Sequence, residues 1–148
     1  MQLLTLKPRL FNYYVCPIFS LICHALMQCE TIQTLHLNQN NLIKCGSAIG
    51  GLIANNTSLT DLDLSWNQFR NTESTKVAKS LLSNDTLTNL NLSWNHFGVD
   101  AAVFAIAKFI SNSSYLHTLD ISYNKIRERG SICVADSLKQ NKEVSEGM

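Results

Sequence analysis

Five spaced positions recur four times along this 148-residue chain. Ile32-Leu35-Leu37-Asn40-Leu42, Leu59-Leu62-Leu64-Asn67-Phe69, Leu87-Leu90-Leu92-Asn95-Phe97 and Leu116-Leu119-Ile121-Asn124-Ile126 superpose at offsets of 27, 28 and 29 residues. Within each block the apolar residues alternate, which is the period of a strand. Between blocks they recur at helical spacing: Ala48, Ile49, Leu52 and Ile53, then Val77, Ala78, Leu81 and Leu82, then Ala105, Ile106, Phe109 and Ile110. A single strand and helix cannot bury these faces alone, so the units must stack into one continuous core. Leu and Asn, the types the repeat consumes most, supply 21 and 15 of the residues.

Carried forward, the register puts Val134, Ala135, Leu138 and Asn141 on a fourth helix. Carried backward, it puts Phe19, Ile22, Cys23, Leu26 and Met27 on the helix of a preceding repeat, residues 18 to 28. The repeat domain is therefore expected over 18 to 148, with repeats starting near 32, 59, 87 and 116. Residues 1 to 17 read as a degenerate or truncated segment, because Leu4, Leu6 and Phe11 mimic a strand block while Pro8 and Arg9 stand where the polar turn belongs. Lys7 and Arg9 ahead of the mostly apolar run from Leu10 to Met27 also admit a signal peptide over residues 1 to 25, and with it secretion. Asn12, Pro17 and His24 interrupt that run, and its second half already has a place in the repeat.

Five scattered cysteines without a CxxC pair agree with a reduced, cytoplasmic setting. Asn-x-Ser/Thr sequons occur at Asn55, Asn56, Asn84, Asn91 and Asn112. All but Asn91 fall where a helix returns to the next strand, in stretches rich in Asn, Ser and Thr. Asn is expected there because it tolerates left-handed backbone and bonds neighbouring peptide groups.

With strands, asparagines and helices placed, the blocks LHLNQNNL, LDLSWNQF, LNLSWNHF and LDISYNKI closely resemble leucine-rich repeats of the ribonuclease-inhibitor-like class. The resemblance covers about residues 18 to 144. It implies an α/β solenoid, a horseshoe with a parallel β-sheet on its concave side and α-helices on its convex side. The class includes ribonuclease inhibitor, the GTPase-activating protein of Ran and the sensor domains of NOD-like receptors. Ribonuclease inhibition would imply a strongly acidic, cysteine-dense chain, and this one carries 12 Lys and Arg against 11 Asp and Glu. GTPase activation would imply a catalytic loop arginine and an acidic tail; the loop candidates are Arg70, Arg127 and Arg129, beside a tail of mixed sign.

The near-neutral charge argues against nucleic acid and anionic membrane as partners and leaves a protein, bound by a monomer or by part of a longer solenoid. No phosphate loop, GxGxxG, HExxH or GxSxG occurs, so the reading is non-enzymatic, with no cofactor and no metal. The informative positions are those between the inward leucines, which point onto the concave sheet; of these, Thr34, His36, Asp61, Asp63, Trp66, Asn89, Asn91, Trp94, Thr118, Asp120 and Tyr123 are the candidate binding residues. The positions form columns down the stack: Thr34, Asp61, Asn89 and Thr118; His36, Asp63, Asn91 and Asp120; Asn38, Ser65, Ser93 and Ser122; and Gln39, Trp66, Trp94 and Tyr123. The aromatic column can serve as an anchor strip for a partner or as a self-stacked shield over the turn. His36 and Asp63 are expected to be neighbours on adjacent strands. Asn40, Asn67, Asn95 and Asn124 are expected to form a structural ladder, satisfying backbone groups where each chain leaves the sheet. The functional expectation is a protein-protein interaction module using the concave face and adjoining loops; the alternative is a structural fragment of a larger repeat protein.

Overall fold

The structure is a computed structural model that describes residues 2–6 and 16–141. Strands and helices alternate: β1 (Gln2–Thr5), α1 (Cys16–Met27), β2 (Ile32–His36), α2 (Gly46–Asn55), β3 (Asp61–Asp63), α3 (Asn71–Ser80), β4 (Asn89–Asn91), α4 (Asp100–Asn112), β5 (Thr118–Asp120) and α5 (Glu128–Gln140). The strands form one parallel sheet in sequence order, β1-β2-β3-β4-β5. Its register aligns Leu35, Leu62, Leu90 and Leu119 across four strands, so the equivalent leucines stack as one row.

Alternation within each strand sends these leucines, and Leu37, Leu64 and Leu92 after them, into the core against the helices. Phe69 and Phe97, each fully buried, meet edge to face with centroids 6.1 Å apart. Helix α4 buries Val103, Ile106, Phe109 and Ile110 along one face, the spacing of a helix packed on one side.

Three local details add to the sequence reading or differ from it. The segment before residue 18 contributes a strand, since Gln2–Thr5 pairs with β2 through Leu4↔Leu35 and Thr5↔His36. Phe11, Pro8 and Arg9, which enter the expectation for that segment, lie outside the described residues. Helix α1 starts at Cys16, so Pro17 falls in its first turn, where a missing N–H costs no helical hydrogen bond. The helical pattern through Leu82 ends early: a 3-10 turn at Leu81–Ser83 keeps Leu81 buried and turns Leu82 outward. No helix among the described residues is long and apolar enough to cross a membrane.

Asparagines at the returns from helix to strand bond neighbouring peptide groups as expected, but in extended rather than left-handed backbone. Asn56, Asn84 and Asn141 cap their helices in extended backbone, with φ of −80°, −100° and −85°. Their amides also reach across repeats. Asn56 Nδ2 donates to Leu26 O at 2.8 Å and Asn84 Nδ2 to Ile53 O at 2.8 Å, while Asn141 Nδ2 donates to Ile110 O. Each binds a carbonyl freed at the end of the preceding helix. Asn56 Oδ1 and Asn84 Oδ1 also accept from the next backbone N–H groups, so these two sequon amides are already occupied in the fold.

Candidate protein-binding face

Where each strand ends, the ladder asparagine turns inward. Asn67 Nδ2 donates to Leu64 O and Ser65 O of its own repeat and to Leu37 O of the preceding one, at 2.9–3.2 Å. Its Oδ1 accepts from the N–H of Asn40 at 3.0 Å. Asn95 repeats this pattern, and Asn124 Nδ2 donates to Leu92, Ile121 and Ser122 carbonyls. The amides saturate groups that the sheet no longer pairs, and all four asparagines are buried.

The turn that permits this geometry sets the conformation of the preceding residue. Gln39, Trp66, Trp94 and Tyr123 have φ of 59°, 58°, 55° and 55°. Left-handed backbone costs a non-glycine residue about 1–2 kcal/mol, and the repeat accepts it at every unit. Its consequence is that successive side chains leave the sheet in parallel. Trp66 and Trp94 stack with centroids 4.0 Å apart and planes 12° apart; Trp94 and Tyr123 do so at 3.8 Å and 13°. The rings are 46%, 39% and 66% exposed, so self-stacking leaves much of their surface open.

The polar columns divide by function. Asp63 Oδ1, Asn91 Oδ1 and Asp120 Oδ1 each accept the backbone N–H two residues ahead, from Ser65, Ser93 and Ser122 at 2.8–3.0 Å. These side chains shape the strand exit as well as facing outward, a role the columns alone do not reveal. His36 breaks that pattern. Its register partner is Asp63, yet its Nε2 approaches Asp61 Oδ1, at 3.9 Å, with both side chains 38% exposed. His36 and Asp63 are thus neighbours on adjacent strands, as expected, but the Asp63 carboxylate is turned toward Ser65 and the imidazole makes its loose approach to the carboxylate of the column beside it.

Thr34 is 7% exposed and does not belong to an accessible face; it sits on β2 with β1 and β3 on either side. Asp61, Asn89 and Thr118 continue its column with partial or full exposure. The accessible surface therefore consists of two carboxylate-bearing columns across β3 to β5, edged by the three rings.

Comparison with known proteins follows the same architecture. A family model described as leucine-rich repeat matches residues 55–72, 83–104 and 112–135. Comparison with the curated proteins finds no match. Among solved structures, actin-binding site 2 of leiomodin-1 superposes with a TM-score of 0.72 at 18% identity, covering 96% of this chain and 82% of that one. The tropomodulin C-terminal domain of Caenorhabditis elegans superposes at 0.73 and 14% identity, covering 98% and 87%. Residues 55–72, 83–104 and 112–135 are thus leucine-rich repeats, and the chain has the α/β solenoid fold of a leucine-rich-repeat domain.

Proposed function

We propose that the chain is a non-catalytic module that binds a protein partner through its concave strand face and the turns that follow the strands. One observation carries this: three exposed aromatic rings, stacked at 4.0 and 3.8 Å, held out from consecutive repeats. Large rings fixed before binding lose little entropy on contact, which is why Trp and Tyr dominate interface hot spots. Asp61, Asp63 and Asp120 beside them suit a partner that offers Lys or Arg together with apolar groups.

Five strands about 4.8 Å apart present a face of roughly 300 Å², against about 800 Å² per partner in a stable interface. The turns must therefore join the contact. The leiomodin-1 structure is described as an actin-binding site, which makes actin the first partner to test. Capture of actin by the wild type and its loss in W66S/W94S, with a nearly unchanged thermal midpoint, is the expected result. A large fall in midpoint with capture retained would assign the rings to structure, and no capture by the wild type would remove actin as the partner.

A second reading, a segment of a longer solenoid with no separate binding, is favoured by Ile18 and Leu21, which are 60% and 71% exposed on α1. Light scattering on the purified chain separates the two. A cooperative, soluble monomer supports the module, and aggregation supports the segment.

A further inference from the structure

The turns that carry the aromatic strip run on, past their ladder asparagines, into an open cleft of about 630 Å³ lined by Arg70, His96, Gly98, Asp100, Lys125 and Arg127 among others. The three turns that line it differ in length. Helix α3 starts four positions after Asn67 and α5 four after Asn124, but α4 starts five after Asn95. The residue just before each helix is Arg70, Val99 and Arg127 in turn. An apolar residue thus stands between two guanidinium-bearing positions, and the longer middle turn opens the space between them.

The positive charge in this cleft is only partly compensated. Three cations face one carboxylate, Asp100, in a chain whose formal charge is only +1. Arg70, Lys125 and Arg127 take part in no ion pair among the described residues; Arg70 Nη2 donates a 3.3 Å hydrogen bond to Gln68 Oε1. Their field is felt within the cleft: His96 is held below the ordinary histidine range by burial first and then by the charges of Lys125 and Arg70. The fork of an arginine matches the two oxygens of a carboxylate or phosphoryl group. Because the cleft and the strip share the same three turns, one partner can reach both.

We propose that this cleft binds an oxyanion, a carboxylate or phosphoryl group on an acidic segment of the partner protein that the aromatic strip anchors. The inference rests on the reading of the strip as a docking face and adds the partner's polarity. Cations of the partner lie over Asp61, Asp63 and Asp120 on the sheet, and its anions lie over the turns. Such alternation fixes register and excludes partners of the reverse order.

The test is a titration of the full chain with three probes, namely an oligo-glutamate peptide, a phosphoserine peptide of equal length and inorganic phosphate, read by NMR at the imidazole rings. Binding should raise the His96 midpoint, since an anion offsets Lys125 and Arg70, and leave those of His24 and His117 in place. R70Q/R127Q should weaken peptide binding at least tenfold, while Lys79→Gln, a cation on α3 away from the cleft, should not. Tighter binding of one peptide tells carboxylate from phosphoryl, and either supports the site. Equal affinity for wild type and R70Q/R127Q, or a His96 midpoint that stays put, would overturn it. Phosphate binding as tightly as both peptides would overturn the partner-segment assignment. W66S/W94S separates the two proposals, because peptide binding in the cleft persists there even if the strip proves purely structural.

Discussion

Asn95 Oδ1 accepts the backbone N–H of Asn67 at 3.0 Å, so the asparagine of one repeat fixes the turn of the repeat before it. The same oxygen takes the N–H of Phe69, and the Asn95 amide donates to Leu64, Leu92 and Ser93 carbonyls. Removing this side chain strands two buried N–H groups, those of Asn67 and Phe69, while the Leu64, Leu92 and Ser93 carbonyls each lose one of two partners and keep the Asn67 amide, the Asn124 amide and the Trp66 N–H. At about 1–3 kcal/mol for each group left unsatisfied, with partial relaxation, Asn95→Ala should cost on the order of 4 kcal/mol. That is comparable to a core deletion: Leu90→Ala, at 2% exposure, should cost about 2–5 kcal/mol. Urea unfolding of both variants measures this. A polar deletion much milder than the leucine deletion would show that water replaces the amide.

The repeat was legible because the strand period of two and the helix period of 3.6 alternate at fixed offsets, and neither survives a one-residue slip. The row from Leu35 to Leu119 and the ladder from Asn40 to Asn124 follow from that arithmetic. What was not legible depends on contacts between side chain and backbone. Asp63 and His36 occupy equivalent column positions, yet one carboxylate is committed to the N–H of Ser65 and the imidazole is left to approach Asp61. Thr34 looks outward by alternation and is buried all the same, on a strand flanked by β1. The strand Gln2–Thr5 holds Leu4 of the block that mimics a strand, but Pro8 and Arg9 stand where the polar turn belongs, so the pattern there is degenerate. The cleft is not legible from the repeat either, because turn length does not follow the offset: α2 starts six positions after Asn40 in the 27-residue unit and α4 five after Asn95 in the 29-residue one.

Trp94 stacks on two rings and Tyr123 on one. Each aromatic pair contributes about 0.5–1.5 kcal/mol beyond its area, while the left-handed backbone costs about 1–2 kcal/mol that Asn, at ease there, would recover. Trp94→Asn should therefore change stability by no more than about 1 kcal/mol, because the two effects oppose. Its spectroscopic effect should be large. Indoles 4.0 Å apart couple as excitons, and because a couplet needs transition dipoles that are not parallel, it is the 12° between the ring planes that should let the far-ultraviolet circular dichroism show one. It should vanish in Trp66→Asn and Trp94→Asn and persist in Tyr123→Asn. A wild type lacking the couplet would mean that the indoles do not stack in solution.

All five cysteines are free thiols, but their environments differ. Burial first, and the neighbouring Cys16 second, push Cys23 from an ordinary 9.0 up to about 12. Burial likewise raises Cys45. Cys29 is lowered by its hydrogen bond with the Thr31 hydroxyl and by the backbone N–H groups of Thr31 and Ile32. Only thiolate alkylates, so iodoacetamide at mildly alkaline pH should modify Cys29 well before Cys23 or Cys45, a sequence that mass spectrometry resolves. The folded Cys23 holds its proton more tightly than the unfolded one. Its contribution to stability is therefore complete below about pH 9 and lost as pH climbs toward 12. Cys23→Ala should flatten that alkaline decline, and an unchanged decline would place its origin elsewhere.

Gly98 lies in the turn that opens the cleft, where the chain passes close to the next repeat. Its N–H donates to Asn124 O at 2.9 Å, and a Cβ on it would come within 2.2 Å of Lys125 O and 2.7 Å of Asn124 O. These obstacles are backbone atoms held by the Asn124 amide network, so they have little room to yield. The requirement for glycine here is close approach alone, since no positive φ is involved. Gly98→Ala should force the α4 turn away from β5, costing about 1–3 kcal/mol as an overpacking substitution does. It should also spread the distance between Arg70 and Arg127, and so weaken oligo-glutamate binding along with stability. Val99→Ala, one residue on and exposed, provides the contrast: it removes side-chain bulk without touching the backbone crossing, and stability should stay near wild type. Equal behaviour of the two variants in thermal unfolding would show that the close passage of Gly98 over Lys125 does not hold in solution.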